Sequence, residues 1–270
     1  MKAHDILNFD IDRYLNPYIP HNRLDVFPQP LRRFLGRRSQ PQKEPPAVAQ
    51  WVSMFIATLG GLCLVGGLFN HAPGIANLQP PVVIASLGAS AVLDYNTIRS
   101  PLAQPRNAVL GHTLSAIVGV CISKLFQLDP RFFADYGWVA GAVACACASL
   151  VMSWTNTIHP PGGATAVLAC TEAQIVRLGW WFIALVLLAS VLMTTVACLL
   201  NNVVRQYPMY WWTPEPTGRH LRKLKENPVD DESKVEVDKV ETDRYGHALC
   251  RSFCVRSRSN CRVMMTDYTS

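Results

Sequence analysis

Two short apolar segments of this chain carry nearly the same six residues, and each follows a proline pair. One copy is Gly88-Ala89-Ser90-Ala91-Val92-Leu93, downstream of Pro80-Pro81. The other is Gly163-Ala164-Thr165-Ala166-Val167-Leu168, downstream of Pro160-Pro161 and 75 residues further on. Each segment lies between two longer apolar stretches. Backbone inside a bilayer must be satisfied by protein, so a broken helix at that depth is confined to a protein interior or a water-filled cavity. Paired interrupted segments in matching halves of a hydrophobic chain point to a transport site.

Charge is partitioned sharply. Between Trp51 and Val204 the only charged residues are Arg99, Arg106, Lys124, Arg131 and Arg177 with Asp94, Asp129, Asp135 and Glu172. The chain therefore reads as an all-α, polytopic membrane helical bundle with hydrophilic ends. Residues 1–50 are a Pro- and Arg-rich, partly disordered segment, 51–205 the transmembrane domain, and 206–270 a polar, largely disordered tail. The net charge of +6 is no sign of nucleic-acid binding. Arg32, Arg33, Arg37, Arg38 and Lys43 stand before the apolar region; Arg205, Arg219, Arg222, Lys223 and Lys225 follow it. Such clusters stay cytosolic, which places both termini on that side and requires an even number of crossings. Residues 31–35 read as a short interfacial helix with Arg32 and Arg33 toward headgroups. No secretory signal or transit-peptide pattern precedes the first span.

Six apolar segments follow in order: 51–69, 78–93, 107–126, 138–158, 159–171 and 178–204. Four are long enough to cross roughly 30 Å of hydrocarbon. The second and fifth are half-helices, since the residue before a proline is driven out of the α region. The expectation is four full transmembrane helices plus two short half-helices, arranged as two internal repeats. If the short segments dip in and return, which their length favours, the repeats run parallel. If they cross, there are six passes and the repeats are inverted. Residues 94–107 read as a polar connector. Gly111, Ser115 and Gly119, four apart, form a small-residue packing stripe. Segment 138–158, rich in Ala, Gly, Ser and Cys, is expected in the middle of the bundle. Asn107 and Asn156 read as helix-end caps.

A half-helix opening on glycine presents bare amides and the positive end of its dipole, an arrangement suited to an anion. Gly162, Gly163 and Thr165 would offer this from one repeat, and Gly88, Ala89 and Ser90 from the other. The competing reading is that these small residues only pack helices. His159 would supply charge or a proton, Arg106 would collect anions, and His112 fits a helix–helix hydrogen bond or the same pathway. No nucleophile motif, phosphate loop or dinucleotide fingerprint is present, so no catalysis and no cofactor is expected. Cys250, Cys254 and Cys261 lack a partner His pattern, so no metal is expected either. The partners are a small inorganic anion and the lipid bilayer; the Gly- and Ala-rich faces leave a homo-oligomer open.

The run His159-Pro160-Pro161-Gly162-Gly163-Ala164-Thr165-Ala166 resembles the HPP family of integral membrane proteins, named for its tripeptide. Gly88-Ala89-Ser90-Ala91, Ser100-Pro101-Leu102-Ala103-Gln104-Pro105-Arg106-Asn107 and Gly111-His112 are similar to that family's pattern, over about residues 51–205. The N-terminal stretch and Tyr207-Pro208-Met209-Tyr210-Trp211-Trp212 resemble its fungal branch. The resemblance implies a four-span membrane protein. Plant and cyanobacterial relatives transport nitrite, the plant one in the chloroplast envelope. Some bacterial relatives carry fused CBS domains; this sequence shows none, so nucleotide regulation is not implied. The resulting expectation is a transporter or channel for a small monovalent anion, nitrite first, with a non-transporting scaffold or sensor as the alternative.

Overall fold

The computed structural model describes residues 10–20, 24–38, 45–215 and 217–218. The tail cysteines, the juxtamembrane Lys43, Arg219, Arg222, Lys223 and Lys225, and residues 216 and 219–270 of the tail lie outside them, whereas 206–215 of that tail are described and pack against the bundle. Six helices build the apolar domain: α1 (Ala47–His71), α2 (Ala85–Asn96), α3 (Pro105–Phe126), α4 (Pro130–Trp154), α5 (Pro160–Thr171) and α6 (Trp181–Val204). Of these, α1, α3, α4 and α6 are long and apolar enough to cross a membrane, so the four long and two short helices expected are present.

The chain's turning points decide how the short helices run. Beside the end of α6, Arg205 reaches the carbonyls of Asn96 (3.1 Å) and Tyr95, so α2 closes there. Tyr207 bonds the carbonyl of Ala103 before α3 (2.8 Å), and Arg106 bonds that of Thr155 after α4 (2.8 Å). These points share one end of the bundle, here the arginine end. At the far end, Gly179 before α6 lies beside Lys124 at the close of α3. α5 thus begins at the arginine end, and the chain reaches the far end through α5 and the short helix Ala173–Leu178. On the other side of the molecule the chain folds back from His71 along α1, where Val82 and Val83 face Gly66, and α2 completes the return. Each short helix, with a non-helical lead-in or a small terminal helix, carries the chain from one end of the bundle to the other.

In chain order the two halves therefore run in opposite directions between the ends of the bundle. Their packing corresponds as well: α1 lies on α2 and α6 as α4 lies on α5 and α3, while α2 meets α5 and α3 meets α6 between the halves. This is the arrangement of inverted repeats about an axis in the membrane plane. The described parts of both flanks sit together at the arginine end.

Small residues set the tightest contacts. On α3, Gly111 faces the Thr157 carbonyl and the His159 Cβ, and Gly119 faces Ala166 and Ala169 of α5. A Cβ on Gly162 would stand 2.9 Å from the Gly111 carbonyl oxygen and 2.8 Å from Ser115 Oγ. The stripe read from sequence is therefore the seam between α3 and α5. The placement expected for 138–158 is corrected. α4 buries Ala140, Ala144 and Ala148 but leaves Trp138, Val143, Leu150 and Trp154 exposed, and α6 is the more enclosed helix. Small residues mark a close approach on one face and do not require protein on every side.

The described residues of the N-terminal segment pack against the bundle. Gln29–Phe34 forms the short helix expected there, and its Phe34 carbonyl accepts from Asn202 on α6 (3.0 Å). Asn156 takes a left-handed backbone (φ 52°) just past α4, where Thr157 N bonds the Met152 carbonyl (2.9 Å), so it closes that helix as read. Asn107 sits inside the first turn of α3, where its side chain bonds the Ile158 carbonyl (3.1 Å).

Candidate functional site

Where α2 and α5 meet, five polar side chains from three helices and one helix cap form a continuous hydrogen-bonded chain. Ser86 and Ser90 stand one turn apart on α2, the i, i+4 spacing that puts them on one face. Thr165 lies on α5 and His112 on α3, and His159 is the N-cap of α5, held extended before the two prolines (φ −142°, ψ 99°). The Thr165 Oγ1–Ser86 Oγ distance is 2.8 Å, and His112 Nδ1 lies 2.8 Å from Thr165 Oγ1. Ser90 Oγ is 2.5 Å from His112 Nε2 and 3.2 Å from His159 Nε2. His159 Nδ1 donates to the Leu102 carbonyl at 2.9 Å. The imidazoles meet edge to face, centroids 4.8 Å apart. Every one of these side chains is 2% exposed or less.

That last carbonyl can only accept, so His159 carries its hydrogen on Nδ1 and two hydrogen placements follow. The Thr165 hydroxyl donates to Ser86. Without net charge, His112 Nδ1–H donates to Thr165 and Ser90 donates to His112 Nε2, which leaves the Ser90–His159 contact without a hydrogen. With one added proton on His159 Nε2, His159 donates to Ser90, Ser90 to His112, His112 to Thr165 and Thr165 to Ser86, so every link is made. A buried polar group left without a partner costs about 1–3 kcal/mol, and the added proton removes that cost at His159 Nε2.

The sequence-nominated residues separate on this geometry. Ser90, His112, His159 and Thr165 come together. Gly162 and Gly163 do not present amides to a ligand. Pro160 and Pro161 have no N–H, and the Gly162 amide already bonds the His159 carbonyl (2.8 Å). Gly162 faces α3, and a Cβ on Gly163 would stand 3.3 Å from Cys145 Sγ of α4. Gly88 and Ala89 are corrected too. α2 starts at Ala85, so both lie past its open end; Gly88 is half-buried, a Cβ added there would meet nothing within 4 Å, and Ala89 is exposed. The bare-amide cradle gives way to a side-chain network.

Arg106 is at the arginine end, held by the chain's own carboxylate. Its guanidinium grips Asp12 through both terminal nitrogens (2.9 and 2.7 Å) and lies 4.1 Å over the Trp212 ring. Asn156 bonds Asp10 (2.6 Å) beside it. From Arg106 the contacts continue through the Thr155 carbonyl and the Thr155–Thr157 hydroxyl pair (2.7 Å) toward His159, two residues further along the chain.

Sequence reasoning missed Ser86, although its i, i+4 relation to Ser90 was available. It also missed Asp12, whose partner is 94 residues away. Asp94, read as connector, is in α2 and 1% exposed, with Oδ1 unpartnered. Among the described residues no group of three His, Cys, Asp or Glu could hold a metal ion.

The family model for the HPP transmembrane region matches residues 43–208. Two transmembrane proteins of Dictyostelium discoideum are similar. One is 34% identical over 187 residues, covering 68% of this chain and 64% of that protein. The other is 36% identical over 165 residues, covering 60% of this chain and 50% of its own length. The matches thus span less than two thirds of either relative. No solved structure matches. With four apolar helices long enough to cross a bilayer and this family match, the chain is a multi-pass integral membrane protein, and it belongs to the HPP transmembrane family.

Proposed function

We propose that this protein moves a small monovalent anion across the membrane, nitrite first among candidates, and that the hydrogen-bonded chain between α2 and α5 is its working centre. One observation carries the reading: a fully buried network, shared by both repeats, in which a single added proton completes the link that the neutral form leaves unmade. A cation isolated at that depth is expensive. A monovalent anion beside it cancels the charge, so uptake of the proton and of the anion favour each other. The side chains touch one another, so an anion enters only when α2 and α5 part.

Arg106 supports the anion class. A guanidinium fork matches two oxygens on one planar centre, and Asp12 supplies that shape here. Nitrite offers the same two-oxygen geometry. Arg13, Arg32, Arg33, Arg37, Arg38, Arg99, Arg106 and Arg205 gather at the arginine end. Lys124, Arg131 and Arg177 at the far end stand among Asp129, Asp135 and Glu172. That asymmetry supports a cytosolic arginine end.

The test is nitrite flux into proteoliposomes with and without a pH gradient. Flux should rise when the anion's side is acidified and fall to the empty-vesicle level in Ser90→Ala, with the variant still monodisperse in detergent. Full flux in Ser90→Ala would remove the network from the pathway. No flux of nitrite, nitrate, formate, bicarbonate or chloride in the wild type would leave the scaffold reading, in which the network only holds the repeats together.

A further inference from the structure

We propose that a second site, at the arginine end and outside the buried network, binds an anionic phosphate group of the kind borne by acidic phospholipid headgroups. A cavity of about 660 Å³ opens there, between the Gln29–Phe34 helix and the last turn of α6. Arg32, Arg33, Arg37 and Arg38 line it with Gln29 and Asn202, and among the described residues no carboxylate does. Its size falls within the few hundred to about 1,000 Å³ usual for small-ligand sites.

The fold itself brings these cations together. Asn202 Nδ2 ties the Phe34 carbonyl to α6 (3.0 Å), and Trp211 Nε1 bonds the Leu35 carbonyl (3.1 Å). Arg38 is drawn in by the carbonyls of Asn202 (2.9 Å) and Arg205 (3.1 Å), while its buried Nε has no partner. Burial, and then the charge of Arg33, lower the Arg38 pKa. Guanidinium groups match phosphate oxygens in pairs, and four of them share this concave wall.

Position favours a lipid as the carrier. Val203, in the last turn of α6, and Leu31 are exposed beside the opening, so a headgroup could sit in the cavity with its acyl chains alongside α6. Juxtamembrane arginines are drawn to acidic leaflets in the same way. The site does not depend on transport.

The experiment uses the full chain purified in neutral detergent. Its melting temperature is measured with added phosphatidate, phosphatidylcholine or inorganic phosphate. The same series is run on R32Q/R33Q/R37Q and on the charge-keeping R32K/R33K/R37K; Arg38 is left in place because it closes α6. Phosphatidate should raise the wild-type melting point by about 3 °C or more over phosphatidylcholine. The glutamine variant should lose that shift and the lysine variant keep part of it. Protection by phosphatidate and not by inorganic phosphate assigns the lipid; protection by inorganic phosphate at matched concentration assigns a soluble phosphate at the same site. An equal response to phosphatidate and phosphatidylcholine without a phosphate response, or an undiminished shift in a folded glutamine variant, overturns the proposal.

Discussion

α2 and α5 are matched in length and open 75 residues apart, with Ser90 and Thr165 at equivalent places, yet they are seated differently. α5 starts on two prolines and a glycine and is wedged between α3 and α4. Gly111, Gly119 and Gly141 each bring a neighbouring backbone or side chain against it. α2 starts on Ala85-Ser86-Leu87 and leans on larger groups. Leu87 and Tyr95 are buried with Phe69 of α1 and Met193 of α6, while Ala85, Ala89 and Val92 face outward. The two halves hold matched short helices, and packing makes one a fixed wall and leaves the other with room beside it. If the network opens, α2 is the side that can give.

The sharpest break in that comparison is Gly162→Leu. The equivalent position in α2 is Leu87, natively leucine and 1% exposed. In α5 even a Cβ would collide with the Gly111 carbonyl and Ser115. Overpacking in a tight core costs about 1–3 kcal/mol, and more where backbone is the obstacle. The variant should leave a size-exclusion column as aggregate. A monodisperse Gly162→Leu protein with a wild-type melting curve would show that α5 is no more confined than α2.

Asp12→Asn should come next. The Arg106 and Asp12 side chains are 3% and 11% exposed, and breaking a buried pair from one side costs about 3–5 kcal/mol; Asn keeps an acceptor, so a loss of about 2–3 kcal/mol is expected. Millimolar formate or nitrite should restore part of the melting temperature by supplying the missing planar oxyanion. No restoration by either anion would mean that Arg106 does not recognise that shape outside the context of Asp12.

These two sites also mark what could be read in the sequence. The short helices were legible because the six-residue phrase and the proline pairs are local. The α3–α5 seam was legible because Gly111, Ser115 and Gly119 repeat with the helix period. His159 and Thr165 were found through the same motif, and Ser90 through its copy. The phase of the first repeat was not. Pro160 and Pro161 open α5, whereas Pro80 and Pro81 lie upstream of α2, so helix start and proline pair are out of register between the halves. Reading the pairs as equivalent set the start of α2 at the prolines, upstream of Ala85, and hid Ser86. The Arg106–Asp12 pair joins distant segments, and no periodicity signals such a contact.

Thr165→Val tests the network from the fixed wall, and Ser90→Ala from the side with room. Thr165→Val strands one imidazole nitrogen and Ser90→Ala two, at about 1–3 kcal/mol for each group left unpaired. Nitrite flux should fall in both by at least about tenfold. Double-mutant coupling of about 0.5–3 kcal/mol in melting experiments is expected, because the residues share partners. Strict additivity would mean that the two halves of the network are independent.

The smallest effect belongs to Gly88→Ala, and its smallness is informative. Gly88 and Gly163 are equivalent, but a Cβ at Gly163 would stand 3.3 Å from Cys145 Sγ, while one at Gly88 would meet nothing within 4 Å. Alanine also favours helix over glycine by about 1 kcal/mol in an open helix interior. Gly88→Ala should therefore leave the melting point unchanged or raise it slightly, and Gly163→Ala, which must displace Cys145 Sγ, should give a lower melting point than Gly88→Ala. Unaltered stability with slower nitrite flux in Gly88→Ala would indicate that the space beside α2 is used when the helices part. Unchanged flux would place that movement elsewhere and return the two helices to equal standing.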